Sequence, residues 1–133
     1  MIVIVGGRYQ GKREFARKLS GLEETEFAAM VAQAGRISPE EAIGKRCLVD
    51  FQDFLRRIME SGTDPQEFVS AVLETEPEIV TLAEVGSGLV PMERFERDWR
   101  DAVGVAGQRL AARADTVYRV TCGLPLLIKG ENK

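Results

Sequence analysis

Four β-branched residues, Ile2-Val3-Ile4-Val5, run straight into Gly6-Gly7-Arg8-Tyr9-Gln10-Gly11-Lys12, and a helical pattern starts at once. No other stretch restricts the fold so tightly. A strand has to end, turn within a few residues and feed a helix, and Gly6 and Gly11 permit backbone angles that a Cβ would forbid. Strand, G-x-x-x-x-G-K loop and helix in this order make a phosphate-binding P-loop. Its N–H groups turn inward around a phosphate at the helix N-terminus, and Lys12 reaches the outer phosphates. The expected nucleotide-binding set is therefore Gly6, Gly7, Arg8, Tyr9, Gln10, Gly11, Lys12 and Arg13, with ATP or GTP as the ligand. One position departs from the pattern: the Ser or Thr that should follow the lysine and hold Mg2+ is Arg13. Magnesium thus loses its usual hydroxyl ligand. A glycine-containing turn with no ligand is the competing reading. Charge speaks against it, because Arg8, Lys12 and Arg13 crowd the positive end of a helix dipole, where cations are unfavourable without an anion. Glu14 offsets part of this.

The remaining sequence alternates between helix-period and strand-like runs. Phe15, Ala16 and Leu19 recur at helical spacing before Ser20-Gly21. Residues 23–34 read as a second helix that stops at Gly35. Ser38-Pro39-Glu40-Glu41 supplies a cap, a first-turn proline and acids for a short helix ending near Gly44. Residues 46–50 read as a buried strand ending in an acid, and residues 51–60 as an amphipathic helix. Thr63-Asp64-Pro65 opens another helix, which carries Phe68, Val69, Val72 and Leu73. A strand over 79–83 leads into a glycine-punctuated loop over 84–91, and a long helix follows over 92–114. Two closing strands, 116–121 and 124–129, flank Gly123. This alternation implies an α/β fold of the P-loop NTPase type, a mostly parallel sheet flanked by helices, in one domain over residues 1–133. Ligands bind such sheets beyond the carboxyl ends of the strands. The loop after Val5, Asp50 and the segment Glu84-Val85-Gly86-Ser87-Gly88 should converge there.

Asp50 fits the acid that binds Mg2+ or its waters in P-loop proteins, and it fits a cap for the following helix equally well. Glu84 opens the glycine loop, and Glu93 lies in a first turn, where acids are favourable anyway. Lys12, Asp50 and Glu84 are the candidate catalytic residues, Asp50 is the candidate metal ligand, and Glu84 to Gly88 is the candidate substrate loop. Arg94, Arg97 and Arg100 lie three apart, a spacing that suits bound phosphate but belongs more often to a solvated helix face. The net charge of −3 gives no general nucleic-acid surface. No apolar run is long enough to span a bilayer. The N-terminal apolar run is too short for a signal peptide, so the cytoplasm is the expected compartment. Cys47 and Cys122 lack metal-ligand spacing and read as small buried residues. The chain has no histidine, which excludes a Ser-His-Asp triad, a histidine base and the commonest zinc ligand.

The segment Glu84-Val85-Gly86-Ser87-Gly88-Leu89-Val90-Pro91, with Trp99-Arg100-Asp101, Gly104, Gln108-Arg109-Leu110-Ala111 and Ala114-Asp115-Thr116-Val117, resembles the C-terminal half of one enzyme family. It is the adenosylcobinamide kinase / adenosylcobinamide-phosphate guanylyltransferase family of cobalamin biosynthesis. Gly6-Gly7 and Gly11-Lys12 match that family's opening loop, and Asp50 falls where its next strand motif ends in an acid. The resemblance implies kinase chemistry on a corrinoid with ATP or GTP, and a homo-oligomer. The departures matter as much. Family members carry a histidine, the covalent guanylyl carrier, on a longer segment between the P-loop and the Asp strand. Here that interval, Leu22 to Arg46, is short, lacks any histidine, and is expected to have lost a strand. Gln10 and Arg13 replace the loop serines, Ala83 the asparagine before Glu84, and Gly107 the asparagine before Gln108. Three readings stay open: a kinase without guanylyl transfer, a non-catalytic paralogue that binds nucleotide, corrinoid or a protein partner, and an unrelated small-molecule kinase.

Overall fold

The first strand ends up inside the sheet, so the loop that follows it is walled on both sides. In the computed structural model, which describes residues 1–85 and 93–132, β1 (Ile2–Gly6) pairs in parallel with β4 (Ile79–Ala83) and β5 (Thr116–Thr121). β2 (Val31–Gln33) and β3 (Cys47–Val49) extend the sheet beyond β4, again in parallel. β6 (Leu124–Lys129) closes the other edge as an antiparallel hairpin with β5, giving the order β2-β3-β4-β1-β5-β6. The mostly parallel α/β architecture expected from the sequence is thus present.

Helices cover both faces because the parallel strands are apolar on both. On one face Ile4, Val49 and Val120 pack with Ala16 of α1 (Lys12–Ser20) and Phe27 of α2 (Glu24–Met30). On the other, Val3, Leu48, Val80 and Val117 meet Phe54 of α4 (Phe51–Glu60), Val69 of α5 (Pro65–Thr75) and Trp99 and Leu110 of α6 (Arg94–Arg113). The short α3 (Pro39–Ala42) starts as expected: Ser38 Oγ accepts the Glu41 N–H at 3.2 Å. Asp64 caps α5 by accepting the Gln66 N–H at 2.9 Å. No helix among the described residues is long and apolar enough to cross a membrane.

Two expectations are corrected here. The helix read over 23–34 ends at Met30, and Val31–Gln33 forms the edge strand β2. The shortened interval therefore carries a strand where a continuous helix was read. Val31 and Ala32 continue the apolar spacing of the helix, so periodicity alone runs through the boundary; pairing with Cys47 and Leu48 in β3 decides it. Cys47 is buried, but Cys122 is exposed, with φ 52 at the turn between β5 and β6. The apolar run around it is a hairpin, and Cys122-Gly123 is its bend.

Candidate phosphate-binding site

The loop between β1 and α1 is held from three directions. Gly6 has φ 154, and a Cβ there would overlap the Val120 carbonyl oxygen of β5. Gly11 stands at the N-cap of α1 with φ 100, where a Cβ would lie 3.1 Å from Gly123 Cα. Gln10 completes the attachment: its Oε1 accepts the Cys122 N–H at 2.6 Å and its carbonyl accepts the Gly123 N–H at 2.8 Å. The β5–β6 turn thus forms the outer wall of the loop. Sequence reading missed this role, since nothing local to Gln10 announces a partner more than a hundred positions away. Tyr9, at the loop tip with φ 60, projects into solvent.

Lys12 is 5% exposed, and its Nζ donates to the Gly7 carbonyl at 2.5 Å across the mouth of the loop. Burial holds its pKa below the ordinary lysine value; Asp50 opposes this, Arg8 adds to it, and Glu84 opposes it more weakly. A cavity of about 520 Å3 opens above the loop, lined by the Arg8 to Glu14 segment together with Asp50, Gln52 and Asp53. Arg8 faces Asp53 across it at 3.7 Å. Burial pushes the Asp53 carboxyl up, Arg8 pulls it back down, and the Asp50 charge raises it further.

Asp50 had two readings, helix cap or site acid. It stands at the N-cap of α4, yet its backbone is left-handed (φ 58, ψ 54) and its side chain makes no capping hydrogen bond. The residue lines the cavity, and its charge acts on Lys12. Arg13, placed by sequence beside a metal, sends its guanidinium to Glu24 of α2 at 2.8 Å and over the Phe27 ring at 5.2 Å. The carboxylates in the cavity that a Mg2+ ion would meet are Asp50 and Asp53. Magnesium is commonly held by one or two carboxylates together with substrate phosphates and water. These residues fit an ion that arrives on a nucleotide, and the Arg13 charge is paired on α2.

Glu84 touches the loop only through its backbone, although its charge acts weakly on Lys12. Its N–H donates to the Gly6 carbonyl at 2.8 Å, while its carboxylate accepts from Arg119 at 3.0 Å. It lines a separate cavity of about 200 Å3 with Val5, Val85, Val103 and Gly104. Gly86, Ser87 and Gly88 lie outside the described residues. Glu93 is the N-cap of α6, without a side-chain capping bond. Arg94 is exposed beside Asp98 at 3.8 Å, and none of Arg94, Arg97 and Arg100 is among the described residues lining the large cavity. Trp99, by contrast, is core, and its indole N–H donates to the Gln52 carbonyl at 2.9 Å.

Comparison with known proteins gives a consistent result. The sequence pattern described as cobinamide kinase / cobinamide phosphate guanyltransferase matches residues 45–128. The bifunctional adenosylcobalamin biosynthesis protein CobU of Salmonella typhimurium is 32% identical over 110 residues, covering 70% of this chain. The protein of the same description from Escherichia coli is 37% identical over 65 residues, 48% of this chain. The chain spans 61% of the length of the first relative and 36% of the second. The matched pattern includes Asp50 and Glu84 but begins after the P-loop, so the loop is argued on its own geometry.

Proposed function

This chain belongs to the cobinamide kinase / cobinamide phosphate guanyltransferase family, and from that premise we propose that it binds ATP or GTP at the Gly6 to Arg13 loop and acts as a kinase on adenosylcobinamide. The observation that carries the reading is the cavity above the loop, where buried Lys12 and the uncapped Asp50 face one space. The loop N–H groups and Lys12 bind the phosphates. Asp50 would hold Mg2+ or its waters, and the ion would supply charge neutralisation when it arrives with the nucleotide. The acceptor hydroxyl oxygen forms a bond to the terminal phosphorus, the bond to the nucleoside diphosphate oxygen breaks, and the hydroxyl proton leaves to water. Positioning and charge do the catalysis. Glu84 and Val85, which line the smaller cavity beside the loop, border the acceptor side, and the exposed row Leu124, Leu126 and Ile128 on edge strand β6 supports assembly into a homo-oligomer.

Guanylyl transfer through a histidine phosphoramidate has no carrier here, since the sequence contains no histidine. Incubation with GTP and mass spectrometry should return the unmodified chain; a stable GMP adduct on any residue contradicts this. The second reading, a non-catalytic paralogue, is favoured by one observation: no hydroxyl stands after Lys12. Titration with ATP, GTP and cobinamide, with Mg2+ and with EDTA, separates the two. Nucleotide binding with phosphorylated cobinamide as product supports the kinase. Binding without turnover supports the paralogue, and no thermal shift with millimolar ATP or GTP removes the kinase and leaves only a paralogue that binds corrinoid or a protein partner.

A further inference from the structure

Asp50 adopts a backbone conformation that L-residues rarely take, and two buried polar side chains from other elements surround it. Thr81, in the middle of β4, is fully buried, and its Oγ1 accepts the Asp50 N–H at 2.9 Å. Gln52, 1% exposed, accepts the Ala83 N–H on Oε1 at 2.9 Å. That bond settles the amide orientation and leaves Nε2 facing Asp50 Oδ1 at 3.5 Å. Every other position of β4 is apolar, so a hydroxyl there needs a polar task to offset its burial. The two N-caps that do accept a helix N–H show what Asp50 avoids. Ser38 and Asp64 take extended backbone angles (φ −75 and −69) and turn their oxygens onto the helix. Asp50 is left-handed and does not.

We propose that Thr81, seconded by Gln52, is the positioning residue for Asp50: its hydroxyl locks the Asp50 amide, holds the left-handed backbone, and so keeps the carboxylate facing the phosphate loop rather than the start of α4. The proposal rests on Asp50 serving the nucleotide site and specifies what makes its charge available there. The long Nε2–Oδ1 contact gives Gln52 the smaller share. Neither residue is among those expected from sequence. A threonine inside an apolar strand reads as a β-branched filler, and its partner lies 31 positions away.

Two substitutions separate positioning from packing. Thr81→Val keeps the shape and removes the hydroxyl; Thr81→Ser keeps the hydroxyl and removes a buried methyl. Both lower the melting temperature, so stability does not tell them apart. In nucleotide-free protein, the HN–Hα coupling and Cβ shift of Asp50 report its backbone directly. Thr81→Ser should retain the left-handed signature, and Thr81→Val should lose it. With nucleotide, the ratio of ATP affinity in Mg2+ to that in EDTA should stay at the wild-type value in Thr81→Ser. It should fall about tenfold in Thr81→Val, the effect of one unpartnered buried amide. An intact signature in Thr81→Val overturns the proposal, and so does an equal loss in both variants. Should Thr81→Val not fold, amide exchange in wild type decides: an Asp50 N–H protected like those of β4 supports the lock, and one exchanging like an exposed loop refutes it. If wild type binds neither ATP nor GTP while the serine and valine variants still differ in signature, the nucleotide reading fails and the positioning role stands.

Discussion

Asp50 and Glu84 occupy equivalent places on neighbouring parallel strands, each the first residue past the carboxyl end, yet their charges go to different uses. Neutral groups hold Asp50: a threonine hydroxyl on its amide and a glutamine amide at its carboxylate. Its negative charge stays available to the cavity, and among the acids acting on Lys12 it is the stronger. Glu84 spends its charge on Arg119, and only its N–H reaches the phosphate loop. An acid at a strand end is therefore not a site acid by position alone. What decides is whether its partners are neutral donors or a cation.

Lys12 is the charge that Asp50 and Glu84 both act on, and its removal is the largest effect expected. Lys12→Ala takes away the buried cation and its charge-assisted bonds to phosphate, a loss of about 3 kcal/mol, on the order of a hundredfold in nucleotide affinity. Isothermal titration with ATP and GTP reads this directly. Unchanged affinity would place the phosphates elsewhere and dissolve the comparison.

The comparison itself is tested by neutralising each acid. Asp50→Asn should weaken Mg2+-dependent ATP binding about tenfold, the weight of one charged ligand interaction, and leave binding in EDTA nearly unchanged. Glu84→Gln removes only a half-exposed ion pair, which contributes no more than about 1 kcal/mol of stability and nothing to the metal dependence. Equal effects from the two substitutions would show that both carboxylates reach the nucleotide, with Arg119 a resting partner of Glu84.

A pH titration sharpens the same point. Folding lowers the Lys12 pKa below its unfolded value of 10.5, with burial the main cause. Between the lowered value and 10.5 the unfolded state holds more protons, so this group makes the protein more stable as pH rises through that window. Phosphate binding has the opposite sign. It needs the charged amine, so nucleotide affinity should fall as pH rises through the lowered Lys12 pKa, before the ordinary lysine range. Asp50→Asn removes the strongest group opposing the shift, so the fall should begin at lower pH in that variant. Stability and affinity moving in the same direction over this window would contradict the assignment of Lys12.

Much of this was legible in the sequence because local pattern and global fold agree. Ile2 to Lys12 announces its strand, loop and helix without help. Ser38-Pro39 and Asp64-Pro65 announce their helices. What stayed hidden depends on partners distant along the chain. Val31-Ala32-Gln33 became a strand through pairing with β3. Gln10 and Cys122-Gly123 meet only once the hairpin folds back on the loop. Thr81 gains its meaning from Asp50. Arg13 is the sharpest case, since its position after Lys12 is correct and only the direction of its side chain was not legible.

That direction sets the smallest expected effect. Had the Arg13 guanidinium stood near the metal position, repulsion would have been large, because two unit charges 4 Å apart at an effective dielectric of ~20 interact by about 4 kcal/mol. Instead it bonds Glu24 and lies over Phe27. The pair is partly exposed, at 34% for Arg13 and 57% for Glu24, so breaking it costs less than about 1 kcal/mol. Arg13→Ser should lower the melting temperature slightly by leaving Glu24 with only its longer contact to Arg17, at 3.8 Å. Its gain in Mg2+-dependent ATP affinity should be limited to one added hydroxyl ligand, about 1 kcal/mol or fivefold. The measurement is the ratio of ATP affinity in Mg2+ to that in EDTA for both proteins. A rise of a hundredfold or more would mean that Arg13 leaves Glu24 and swings into the site when phosphate binds. The phosphate loop and α2 would then compete for one cation, and Asp50 would not be the main control on the metal.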